Sequence, residues 1–125
     1  MKRVVIVLLL LLGIAGAVAA SPWHNVTSGE AKVMLAKDKR VFLLDVRTPE
    51  EFRQVRLRGA TLIPMGEIER RYYEVPNDRP VVVYCAVGSR SGLVADFLEK
   101  KGYRQVYSMK DGIVGWYRSG YPIER

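Results

Sequence analysis

The stretch PVVVYCAVGSRSGLVADFLEK, residues 80–100, decides how the chain folds. Pro80 to Cys85 is a run of valines and one tyrosine with no polar alternation. Such a run suits a strand covered on both faces, as in a parallel sheet. Ala86-Val87-Gly88-Ser89-Arg90 then breaks the pattern and forms a short loop. From Ser91 to Gly102 the spacing becomes helical, and Leu93, Val94, Phe97 and Leu98 are predicted to share one face. Lys100 and Lys101 complement the dipole at the end of that helix, and Gly102 stops it.

The same grammar extends to both sides. Val41 to Val46 is a second buried run, with Asp45 near its end. Thr48-Pro49-Glu50-Glu51-Phe52 supplies an N-cap, a proline in the first turn and two acids, so a short helix starts there. Gly59 to Pro64 is a short strand stopped by proline, Gly66 to Tyr73 another short helix, and Pro76 to Pro80 a turn. Gln105 to Ser108 is a last strand, and Gly112 to Arg118 a last short helix. Toward the N-terminus, Thr27 and Glu30 form a capping box that opens a helix from Ser28 to Lys37. Ser21 to Asn25 link into a first extended segment. Strands and helices alternate, which predicts an α/β domain, a small mainly parallel sheet flanked by helices, over residues 21–125.

Residues 1–20 have a different character. Lys2 and Arg3 precede an apolar run from Val4 to Leu12, and small residues follow to Ala20. This is the layout of a secretory signal peptide, with cleavage expected after Ala19 or Ala20. The alternative is an uncleaved membrane anchor, since Val4 to Ala20 is close to the lower limit for spanning a bilayer. The chain is therefore expected to be exported, to a periplasm or the exterior. The net charge is +7, from 20 basic and 13 acidic residues, and its basic residues are scattered. No basic block suggests nucleic acid; the charge fits small anionic substrates or a membrane surface.

The chain has one cysteine and one histidine, His24. Neither an internal disulfide nor a zinc site can be built from them. Cys85 is thus either an inert core thiol or a reactive one. It sits at the carboxyl end of a strand, where active sites of parallel α/β sheets gather. Gly88 permits a tight curl. Backbone N–H groups from Ala86 to Ser91 are then placed to surround the sulfur and favour the thiolate, and Arg90 adds a positive charge that either attracts anionic donors or only stabilises its own loop. A thiolate is what nucleophilic sulfur chemistry requires.

Four motifs carry a family resemblance. Cys85-Ala86-Val87-Gly88-Ser89-Arg90-Ser91 resembles the rhodanese active-site loop, Cys-x-x-Gly-x-Arg-Ser. Asp45 to Phe52 resembles the family's Asp-x-Arg-x-x-x-Glu-(Phe/Tyr) signature, and Gly59 to Pro64 its Gly-Ala-x-x-Ile-Pro strand. Asp111 to Trp116 resembles its closing Gly-Gly-x-x-x-Trp, with Asp111 in place of the first glycine. The match runs from about Val26 to the C-terminus. It implies a sulfurtransferase that needs no metal or organic cofactor. Cys85 would take sulfur from a small anionic donor, thiosulfate or a polysulfide, and pass it as a persulfide to a thiol or cyanide. A redox or sulfur-relay protein is a candidate partner.

Asp45 and Arg47 either touch substrate or pin neighbouring loops to the Cys85 loop, and the second role is the expected one. Trp116 and Phe52 are expected in the core. Where the family often has Gly-His-x-Pro, this chain has Val55-Arg56-Leu57-Arg58, two charges that either rim the site or lie in solvent. Two rival functions remain. A non-catalytic sulfur-carrying or partner-binding module would share the fold. A phosphatase or arsenate reductase would use Cys-x5-Arg, whereas Cys85 to Arg90 spans Cys-x4-Arg, one residue too short to ring a phosphate.

Overall fold

The computed structural model describes residues 22–125. The expected leader and its cleavage site lie outside them. Strands β1 (His24–Val26), β2 (Phe42–Asp45), β3 (Thr61–Leu62), β4 (Val81–Tyr84) and β5 (Val106–Met109) alternate with helices. These are α1 (Ser28–Lys37), α2 (Pro49–Gln54), α3 (Ile68–Arg71), α4 (Ser89–Lys100) and α5 (Gly112–Arg118). The sheet has the order β1-β5-β4-β2-β3 and every pairing is parallel. The expected α/β architecture, a small parallel sheet flanked by helices, is the one found.

β4 lies at the centre, with Val81, Val82, Val83 and Tyr84 all buried. Alternate side chains feed two separate cores. Val81 and Val83 join Leu44, Val46, Val94 and Leu98 on one face. Val82 and Tyr84 join Leu43, Leu57, Ile113 and Trp116 on the other. No helix among the described residues is long and apolar enough to cross a membrane.

Both helix-start readings hold. Thr27 Oγ1 accepts from the Glu30 N–H at 3.1 Å, and Glu30 Oε1 from the Thr27 N–H at 3.0 Å. Thr48 and Glu51 make the same reciprocal cap at α2.

Three expectations need correction. Leu93 is 65% exposed and leaves the buried face of α4. That helix begins at Ser89, two residues earlier than its apolar pattern suggests, and its buried stripe is Ser91, Val94, Ala95 and Leu98. The serine completes the 3.6-residue spacing because it has a polar partner inside, as described below. The helix expected from Gly66 to Tyr73 is one turn of α-helix between two 3-10 turns, Met65–Glu67 and Tyr72–Glu74. No side chain caps either end of it, so the tighter i→i+3 bonds close both. Finally, Trp116 is buried as expected, but Phe52 is only half-buried, with the Arg56 guanidinium 5.2 Å above its ring. Arg56 therefore packs rather than lying free, and its backbone pairs with Glu124. Arg58 is in solvent.

Candidate active site

Cys85 follows β4 directly and its side chain is fully buried. The chain then curls back over the sulfur. Gly88, at φ 98°, turns it into α4. A side chain at this position would also run into the Lys110 carbonyl. The curl brings the Gly88 N–H to 3.1 Å and the Ser91 N–H to 3.4 Å from Sγ. The Ser91 hydroxyl is 3.7 Å from Sγ, 3.1 Å from the Gly88 carbonyl oxygen and 2.8 Å from the Ser108 hydroxyl. Ser91 thus reaches the interior because Ser108, on β5, meets it there.

Burial pushes the Cys85 thiol up. It is outweighed by hydrogen bonds from the Ser91 backbone and hydroxyl and from the Gly88 and Val87 N–H groups, so the thiol lies below its ordinary value. Hydrogen bonds to the anion are enough to do this without a full counter-charge. We expect alkylation of Cys85 to follow pH with a midpoint below the free-thiol value of about 8.5. A midpoint at or above that value would remove the argument.

Arg90 has another partner. Its guanidinium grips Glu51 of α2 through two bonds, of 2.7 and 3.0 Å. Glu51 also accepts from Thr48, so one carboxylate caps α2 and clamps the Cys85 loop to it. The Arg90 bonds, opposed by partial burial and helped by Thr48, hold the Glu51 carboxyl at about 2. Because this value lies below the unfolded one of about 4.3, the clamp contributes fully above that pH and is lost as pH falls through about 2. Glu51→Gln is expected to cost about 1 kcal/mol at neutral pH, since the pair is partly exposed. Denaturation midpoints of the two proteins measured from pH 7 to pH 2 should converge only at the acid end. A constant gap across that range would show that the charge of Glu51 is not what matters.

Asp45 and Arg47 face each other. Arg47 Nη2 lies 2.7 Å from Asp45 Oδ2, both side chains are buried, and the same Nη2 donates to the Val55 carbonyl at 2.6 Å. Asp45 is in register with Tyr84, whose ring belongs to the core on the face opposite that containing Cys85. Arg47 lies 5.5 Å from the centre of that ring, and the Tyr84 hydroxyl accepts from the Leu57 N–H at 3.1 Å. This network holds the β2–α2 connection and the segment after α2. It supports α2, which carries Glu51.

The far wall of the loop is α5. The Ile113 and Val114 N–H groups donate to the carbonyls of Cys85 and Ala86, at 2.9 and 3.1 Å. Gly112, at φ 61°, lies so close that a side chain there would overlap the Ala86 carbonyl. Asp111, the residue in place of a family glycine, turns away and accepts from the Ser28 N–H at 2.9 Å and the Ser28 hydroxyl at 2.6 Å. It caps α1. Sequence reasoning passed over Glu51, Gly112 and Ser108 as site residues. The first two lay inside motifs already quoted. Ser108 has no local signal, because only the order of the strands puts it beside Ser91.

The geometry is therefore a buried, activated thiol under a loop clamped from two sides. Comparison with known proteins agrees. The family model for the rhodanese-like domain matches residues 27–119. A sulfurtransferase of Allochromatium vinosum is 38% identical over 100 residues, covering 80% of this chain and 94% of its own. The thiosulfate sulfurtransferase GlpE of Actinobacillus succinogenes is 39% identical over 103 residues, covering 80% and 89%. The crystal structure of a rhodanese-related protein from Thermoplasma volcanium superposes with a TM-score of 0.75 at 25% identity, covering 82% of this chain and 98% of its own.

Proposed function

The chain belongs to the rhodanese-like domain family of sulfurtransferases, and from that membership we propose that Cys85 carries sulfane sulfur as a persulfide. The observation that carries this reading is the pair of N–H groups, from Gly88 and Ser91, aimed at a buried sulfur whose thiol is lowered. With thiosulfate as donor, the Cys85 thiolate attacks the outer sulfur. The bond from that sulfur to the sulfonate breaks, and sulfite leaves with the electron pair. The bound persulfide then meets cyanide or a thiolate, which attacks its terminal sulfur. The S–S bond breaks, the pair returns to Sγ, and thiocyanate or an acceptor persulfide departs. Two displacements, each with a good leaving group, replace one difficult transfer. Asp45, Arg47, Glu51 and Arg90 act in this scheme as positioning residues, because each spends its charge on another protein group.

Mass spectrometry of the protein after exposure to thiosulfate tests the reading. A gain of one sulfur atom, removed by cyanide, is the expected result. An unchanged mass together with turnover of an aryl phosphate would favour the phosphatase reading instead. One feature argues against that outcome. A phosphoryl group needs donors to three oxygens and an arginine reaching two of them, and here Arg90 is held by Glu51.

We also propose export, on the basic start, apolar run and small-residue tail of residues 1–20. N-terminal sequencing of the protein recovered outside the cytoplasm should begin at Ala20 or Ser21. An intact Met1 in the membrane fraction would establish an anchor.

A further inference from the structure

The strands all run the same way, so their starts and the C-terminal ends of the helices returning between them gather at one end of the domain. Cys85 lies at the other end. Hydrogen bonds fasten the strand starts together. The Phe42 N–H donates to the Pro80 carbonyl, the Val81 N–H to the Gln105 carbonyl, and the Arg40 guanidinium to the Asp78 carbonyl at 2.9 Å. The Tyr103 hydroxyl holds the turn after α3 against them, donating to the Tyr72 and Val75 carbonyls at 2.8 and 2.6 Å.

This end is basic. Lys37, Lys39, Arg40, Lys101 and Arg104 are exposed, and among the described residues none of them is in an ion pair. The neighbouring acids are engaged. Asp78 and Glu74 pair with Arg79 and Arg71, and Asp38 and Glu99 accept from the Arg40 and Trp23 N–H groups. Lys37 complements the dipole of α1, but Lys39 and Arg104 lie beyond the helix ends, where neither a dipole nor an ion pair accounts for them. Two aromatic rings flank the charges. Tyr73 is 75% exposed, and Trp23 is half-buried beside Gly92 of α4. The apolar run of residues 4–20 joins the chain at this same end, through Ser21 and Pro22.

We propose that this end of the domain docks on an anionic lipid bilayer. Each Lys or Arg brought near a negative membrane surface is worth about fivefold in binding. Tyrosine and tryptophan are the rings that settle at headgroup level. A leader in the bilayer delivers the domain to the surface by this end, and the basic face keeps it there once the leader is cut. Pro80 and Cys85 are separated by about 17 Å of strand, at roughly 3.3 Å per residue. The Cys85 loop therefore faces the aqueous compartment. The inference is independent of the chemistry at Cys85.

Both cores lie within residues 23–123, so the test uses the protein without residues 1–20. Vesicle sedimentation compares phosphatidylcholine alone with an equal mixture of phosphatidylcholine and phosphatidylglycerol. At low ionic strength the mixed vesicles should bind at least about tenfold more tightly than the neutral ones, and added salt should weaken them. Lys39→Glu and Arg104→Glu should each weaken binding to the mixed vesicles by at least about fivefold. Lys110→Glu changes the net charge equally, but Lys110 is exposed at the other end of the sheet, just after β5. It should leave binding within about twofold of the parent. Equal losses in all three variants would show attraction by net charge without a docking face, and would overturn the proposal. So would equal binding to neutral and mixed vesicles, or binding to neither.

Discussion

Cys85→Ser should abolish sulfur transfer from thiosulfate to cyanide, by at least about a thousandfold, while the protein stays folded. The loss follows from the chemistry: a serine hydroxyl is not ionised at neutral pH and forms no persulfide, and removal of a covalent nucleophile is among the costliest changes an enzyme can suffer. The retained fold follows from the geometry. The new hydroxyl is nearly isosteric, and the Gly88 and Ser91 N–H groups that point at Sγ can donate to its oxygen instead. Stability within about 1 kcal/mol of the parent is therefore expected, with no buried donor orphaned. Thiocyanate release and thermal unfolding of the two proteins, measured side by side, check both halves. Turnover at the parental rate would sink the covalent mechanism.

Gly112→Ala should do nearly as much damage without touching the thiol. At this position the backbone has a positive φ of 61°, and an added Cβ would overlap the Ala86 carbonyl and lie 2.6 Å from the Val87 nitrogen. Left-handed backbone costs a non-glycine residue about 1–2 kcal/mol, and overpacking against rigid backbone about 1–3 more. The strain falls where α5 meets the loop through Ile113 and Val114, so relief comes only by moving the loop. The N–H groups then lose their aim at the sulfur. We expect a stability loss of about 2–4 kcal/mol, a rise in the thiol midpoint, and a drop in sulfur transfer of more than tenfold. Alkylation against pH separates the two effects, because a merely destabilised protein that is still folded would keep the parental midpoint. An alanine variant with parental stability and activity would show that the loop tolerates the displacement.

The same position explains why one glycine of the closing motif was dispensable and the other was not. Asp111 points its carboxylate at α1, where Ser28 accommodates it. Gly112 faces backbone on the side where a side chain would go.

Much of this was legible along the chain because it depends on neighbours in sequence. The buried runs at Val41–Val46 and Val81–Tyr84, the capping boxes at Thr27 and Thr48, and a cysteine between a strand and a helix are local patterns. Each reports hydrogen bonding or burial within a few residues. The α/β class, the parallel sheet and the position of Cys85 at its carboxyl edge follow from them. Leu93 shows the limit of periodicity. The apolar pattern took in a leucine that is exposed and left out Ser91, which is buried because Ser108 of another strand offers it a hydrogen bond.

What only the tertiary structure decided is where the charges go. Arg90 reads in sequence either as positive charge near the sulfur or as a stabiliser of its own loop, and its partner, Glu51, lies 39 residues earlier. The lowered thiol rests on backbone N–H groups whose aim is set by the strand order, by α5 against the loop, and by the clamp from α2. A sequence fixes which groups are able to pair; the choice among partners is made by distance, and distance between residues far apart in the chain exists only once the sheet has assembled.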